Sequence, residues 1–216
     1  MSALLYGLLL FAAFTAIGRA ELPGGIAPFG MAAAAAAIIL KLPVFALMGC
    51  VAGTCMRASV EGALAMGVFL IAALAVKRLT RAGDRQIMAA QFCSQFAAVV
   101  VMRGSLTAFI AGLLGCVISA LLTRIYVYGM DVAGKVSARK LLSADELICV
   151  YILVGTALMG FVDVKVWELF SSAVLGAAFT FVMGCAGGGA AGAACGLALG
   201  GMLAIGGNGA YIAIMG

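Results

Sequence analysis

The chain of 216 residues is 66% hydrophobic and only 10% charged, with a mean hydropathy of +1.24 and a formal net charge of +5. Soluble domains are about half apolar and about a quarter charged, so the composition argues against a water-soluble globular fold and for an integral membrane protein. Histidine is absent, which removes the commonest general base and metal ligand. The basic residues fall between apolar runs, where they orient a membrane chain rather than bind nucleic acid.

Apolar runs predict helices over residues 3–18, 29–40, 42–56, 62–76, 87–102, 106–123, 147–162, 169–186 and 188–205. The expected fold class is an all-α, polytopic membrane helix bundle of about eight or nine transmembrane helices, some short or re-entrant, forming a single integral membrane domain. The first run lacks a basic stretch before its apolar core, and the same chemistry continues along the chain, so it reads as a first membrane helix rather than a signal peptide. It ends at "RAELPGGIAPFG", residues 19–30, whose Pro23, Gly24, Gly25 and Pro28 forbid a continuous helix. That break is either a plain loop or a structured element lining a cavity. Runs 29–40 and 42–56, split by Lys41 and Pro43, fall short of the roughly 17–25 residues that span a bilayer. They either borrow neighbouring residues or form a re-entrant hairpin covered by protein.

Two basic loops orient the chain. Loop 77–85 carries Lys77, Arg78, Arg81 and Arg85 against Asp84, and loop 124–146 carries Arg124, Lys135, Arg139 and Lys140. Basic loops stay cytoplasmic. Two helices separate them and four precede the first, which puts both loops and the N-terminus inside. The parity holds even if the short pair is re-entrant. Counting forward, the last residues fall outside.

The motifs have bland readings that account for more residues than the sharp ones. Gly187, Gly189 and Gly192 fit G-x-G-x-x-G, but a dinucleotide fold wants a preceding strand and an acid about 20 residues on. No Asp or Glu follows Glu168, and there is no Walker-type loop. Gly184, Gly188, Gly192, Gly196 and Gly200 recur every four positions, the spacing that lets membrane helices approach closely. Gly187–Gly189 is also a point where the helix can break. Ser143 and Glu146 form the S-x-x-E capping box of a helix starting at Leu147. Arg57 and Glu61, four apart, are placed to pair on one helix face near an interface. Arg103 reads as an interfacial anchor, Tyr126 and Tyr128 suit the headgroup belt, and Asp163, Lys165, Trp167 and Glu168 read as an exposed turn. The seven cysteines form no C-x-x-C pair and read as small packing residues. Among the few polar residues inside apolar runs, Gln91 and Gln95 stand one turn apart. They are the best candidates for a polar lining and serve equally as interhelical hydrogen-bonding groups.

Three stretches, residues 7–32, 140–161 and 181–209, together resemble the N-terminal multi-pass membrane region of stage II sporulation protein E. The first helix ends near Arg19 and is followed by Pro28-Phe29. A basic loop leads to Asp145-Glu146-Leu147-Ile148, and a glycine-rich helix covers Gly187 to Gly201. The resemblance implies a membrane anchor linked to the division septum and to self-association. In the family a metal-dependent serine phosphatase of the PP2C class follows it. That chemistry uses clustered aspartates to hold metal ions, whereas Asp84, Asp131, Asp145 and Asp163 are scattered at loops. No catalytic residue carries over, and no cofactor or metal is expected. The chain reads as a fragment of a longer protein or as a stand-alone relative of the anchor.

The leading expectation is thus a non-enzymatic membrane-anchoring and self-association module of the bacterial cell membrane. Its expected partners are the lipid bilayer, further copies of itself and, by resemblance, the cell-division machinery, with no nucleic acid. The alternative is a small integral transporter or the substrate-binding component of an energy-coupling-factor importer, which wants polar groups converging at mid-membrane. An intramembrane enzyme is third, lacking histidine and paired mid-helix acids.

Overall fold

The computed structural model describes residues 3–22, 27–57, 60–79, 83–135, 143–166 and 169–206. Among these, helices carry nearly the whole chain: α1 Ala3–Arg19, α2 Pro28–Ile39, α3 Val44–Arg57, α4 Val60–Leu79, α5 Asp84–Met102, α6 Leu106–Lys135, α7 Ala144–Met159, α8 Ser171–Gly187 and α9 Gly189–Gly206. In the stretch expected as an exposed turn, Asp163 is exposed, and Lys165 pairs with Phe170 and Val166 with Leu169 in a short antiparallel ladder. Trp167 and Glu168 lie outside the described residues.

The hub is α2. Every residue from Pro28 to Ile38 is buried, and the helix packs against α1, α3, α5 and α6. The alanine run Ala32–Ala37 explains how four neighbours fit round it: a helix apolar on all sides belongs inside a bundle, and a thin one lets backbones close in. Its 12 residues give a length of roughly 18 Å. It ends in a Schellman turn, with Leu42 N–H bonding Ala37 O at 2.9 Å and Lys41 N–H bonding Ile38 O at 3.3 Å. Lys41 takes the left-handed position (φ 54°) usually held by glycine, and Pro43 cannot continue the helix.

The interior combines a hydrophobic core with a small buried polar set, and large apolar side chains also cover the outer faces. The buried polar set includes Thr54, Gln91, Ser94, Gln95, Ser119, Thr123 and Thr156, while Leu8, Ile71, Val101, Leu106, Leu121 and Phe181 face outward. Helices α4 and α6 are long and apolar enough to cross a membrane, over Val60–Arg78 and Leu106–Ala133. Only 22% and 33% of their most apolar windows are buried, unlike the core helix of a soluble protein, which hides its apolar surface.

The long loop expected over 124–146 is shortened, because α6 continues to Lys135. Arg124, Tyr128 and Asp131 are exposed, whereas Leu122, Tyr126, Gly129 and Val132 are buried. This is the i, i+4, i+7 alternation of a two-faced helix. The charges that suggested a loop mark one helical face. Tyr126 accordingly sits in the core at 0% exposure rather than in a headgroup belt, while Tyr128 is outward. Loop 77–85 is also trimmed: Lys77 and Arg78 close α4, and Asp84 and Arg85 open α5.

Candidate functional site

Helices α1 and α3 pack backbone to backbone. The two run parallel in constant register: Gly7 meets Phe45, Phe11 meets Gly49, and Thr15 meets Gly53. A Cβ added at Gly49 would stand 2.6 Å from Phe11 O, and one at Gly18 would stand 2.7 Å from Cys50 O. At Gly53 it would collide with Thr15 O and lie 2.9 Å from Gly18 Cα. Helix α2 joins the same crossing, because a Cβ on Gly30 would meet Thr54 Oγ1 and lie 3.2 Å from Gly18 Cα. Gly49-x-x-x-Gly53 is the close-approach motif of membrane helices. Its spacing is visible in the sequence, but the denser glycine run near the C-terminus draws attention from it.

A buried polar cluster fastens α5 and α6 to the start of α2. Gln91 Nε2 donates to Ser119 Oγ at 2.6 Å, and Ser119 Oγ donates to Pro28 O at 3.0 Å. Thr123 Oγ1 lies 2.8 Å from Gln91 Oε1 and 2.9 Å from Ser119 O. Gln91 is only 1% exposed. Away from water such a side chain needs partners, and the cluster supplies them across three helices. Gln95, although also buried, has an Oε1 without a hydrogen-bond partner among the described residues.

Glu61 pairs with Arg103. Arg103 Nε lies 3.0 and 2.8 Å from the two Glu61 carboxylate oxygens, and its Nη1 donates to Ala108 O at 3.1 Å. The pair is largely shielded, with side-chain exposures of 11% for Arg103 and 18% for Glu61. Arg57 closes α3 and Glu61 lies in the first turn of α4. The Arg57 side chain lies outside the described residues. Arg103, expected as an interfacial anchor, ties the α5–α6 turn to the first turn of α4.

Ser143 and Glu146 make both bonds of a capping box at the start of α7. Ser143 N–H donates to Glu146 Oε2 at 2.7 Å and Glu146 N–H donates to Ser143 Oγ at 3.3 Å. The five-glycine stripe does not lie on one helix. Gly188 (φ +85°) separates α8 from α9 and folds them into a hairpin, so Gly184 and Gly192 face each other. A Cβ on Gly192 would lie 2.8 Å from Gly184 Cα. Gly196 and Gly200 are buried on α9. The G-x-G-x-x-G match therefore spans a helix–break–helix with no strand before it. Arg19 closes α1, where its charge favours the C-terminal dipole. Pro28 and Phe29 open α2, both buried, at the foot of the polar cluster. Among the described residues no group of three His, Cys, Asp or Glu is placed to hold a metal.

The model of the family described as "SpoIIE, N-terminal domain" matches residues 2–214. The chain belongs to this family. No curated protein and no solved structure matches it. Family membership makes the chain a sporulation-type, SpoIIE-like membrane region. What is found within it is the N-terminal domain, without a phosphatase domain. The family-like residues Arg19, Pro28 and Phe29 fall at the two ends of the break joining α1 to the buried hub.

Proposed function

We propose that this chain is the multi-pass membrane-anchoring and self-association region of a sporulation serine-phosphatase-like protein, non-catalytic by itself, with its N-terminus in the cytoplasm of a bacterial cell. The observation that carries the reading is the outer surface: large apolar residues cover the outward faces of the helices, while the few glutamine, serine and threonine residues of the helices' apolar stretches include a set buried inside the bundle. The orientation is supported by chain direction. Parallel α1 and α3 start at one end of the bundle, and Ile38, which precedes α3, lines a common cavity with Lys77 at the end of α4. We read the start of α1 and the Lys77–Arg78 end of α4 as lying together at the cytoplasmic end, in line with the positive-inside rule. For self-association, the outer face of α9 offers exposed Ala190, Ala193 and Ala194, small enough for close contact with a second copy. The division machinery is the proposed destination of the anchored protein.

The importer alternative wants polar groups facing a cavity. Gln91, Ser119 and Thr123 instead bond to one another and to Pro28 within the bundle, which favours the anchor. Reporter fusions test the topology: insertions at Gly83 and Lys135 are both expected to report cytoplasm, and opposite signals from the two would overturn it. A cysteine at Ala193 in a background without exposed native cysteines is expected to cross-link between copies in the membrane. A monomer by cross-linking and by light scattering would remove the self-association half of the reading.

A further inference from the structure

A cavity of about 660 Å³ opens on the side of the bundle where α1, α2, α3 and α4 meet. Its walls include Phe11, Ile38, Val51, Cys55 and Leu74, and among the described residues Lys77 is the single charged one lining it. The gradient along it is sharp: hydrocarbon over its length, one ammonium at its end. Lys77 is exposed, as is the neighbouring Arg78. Lys41, also exposed, stands in the turn directly after Ile38, so chain connectivity gathers three cations at that end. Among the described residues no acidic one lines the cavity.

We propose that this groove is a binding site for one anionic diacyl phospholipid. An acyl chain lies along the apolar walls and the phosphate meets Lys77, flanked by Lys41 and Arg78. Charge complementarity selects this occupant. A second protein copy would have no apolar reason to seek the lysine, and a zwitterionic lipid, whose own cation offsets its phosphate, would gain less from the three cations than an anionic one. Cationic side chains at a membrane surface attract anionic lipid by about fivefold per charge, and a lysine stem can lie on apolar surface while its ammonium reaches the headgroups. The inference rests on α4 crossing the bilayer with Lys77 at the headgroup level, and it adds a ligand to the anchor.

The full chain, delipidated in detergent, is titrated with phosphatidylglycerol and with phosphatidylcholine of identical chains, and bound lipid is read by native mass spectrometry. One phosphatidylglycerol is expected, preferred at least tenfold over phosphatidylcholine. Lys77→Gln is expected to reduce that preference about fivefold, the worth of one charge. Leu74→Trp, on an exposed side chain at the groove mouth, is expected to weaken both lipids at least threefold with the fold retained. Equal affinity for the two lipids, or an unchanged preference in Lys77→Gln, overturns the proposal. So does a stable dimer that carries no lipid. Alkaline extraction of reconstituted vesicles separates the two levels of failure. A chain that resists extraction yet shows no lipid preference refutes the site alone. A chain released from the vesicles refutes the membrane-crossing reading, and the site with it.

Discussion

Replacing Gly53 by alanine sets two opposed effects against each other, and the structure decides which wins. Alanine is favoured over glycine by about 1 kcal/mol inside a helix, and Gly53 lies within α3. Its new Cβ, however, would collide with Thr15 O and stand 2.9 Å from Gly18 Cα. Carbon contacts settle at roughly 3.5–4.0 Å, so the helices would have to part by about 1 Å, enough to forfeit a quarter to a half of the local dispersion energy along the seam. Both obstacles are backbone, so no rotamer change relieves them. Overpacking costs about 1–3 kcal/mol, and a backbone wall on both sides argues for the upper end. The net expectation for Gly53→Ala is a loss of about 2 kcal/mol. Gly67→Ala is the matched control: it lies inside α4, and an added Cβ there meets nothing within 4 Å. It is expected to gain up to about 1 kcal/mol from propensity. Reversible unfolding of the full chain in mixed micelles reads both variants on one scale. If Gly53→Ala is as stable as Gly67→Ala, the α1–α3 seam is not held by backbone contact, and the close-approach account fails.

Gly112→Ala should behave differently, because its Cβ would meet the Val99 methyl groups at 2.6 and 2.8 Å. A loss of about 1 kcal/mol is expected that Val99→Ala partly reverses, so a double-mutant cycle without favourable coupling would contradict it. Glu61→Gln leaves Arg103 shielded and unpaired, and with both side chains partly wetted a loss of about 2 kcal/mol is expected. Adding Arg103→Leu should recover part of it, and a double variant worse than the sum of the singles would argue against the pair. Ser143→Ala should cost about 1 kcal/mol and speed hydrogen exchange at the α7 N-terminus, first at the Glu146 amide. Unchanged exchange there would show that the cap is not holding the helix end.

The membrane class of this chain and the rough position of its helices are written in composition and period, because each helix must be apolar over most of its length whatever its neighbours are. The capping box is equally local: Ser143 and Glu146 need only their own backbone. Lys41-Leu42-Pro43 marked the break after α2 for the same reason. What could not be read was which helix faces which. Arg124, Tyr128 and Asp131 look like a loop until Leu122, Tyr126 and Gly129 are seen buried on the opposite side of one helix. Glu61 has Arg57 as its sequence neighbour, but its pairing with Arg103, 42 residues away, comes from the α5–α6 turn folding back beside α4. Glycine runs show the limit most clearly. Spacing says that helices can approach at Gly49 and Gly53, or at Gly184 and Gly192, but says nothing of the partner. In one case the partner is a parallel helix from the start of the chain. In the other it is the same glycine run, turned back on itself at Gly188. Local propensity and hydrophobic period depend on a few consecutive residues and survive in sequence. Partner choice depends on three-dimensional complementarity between distant segments, and only the packed bundle decides it.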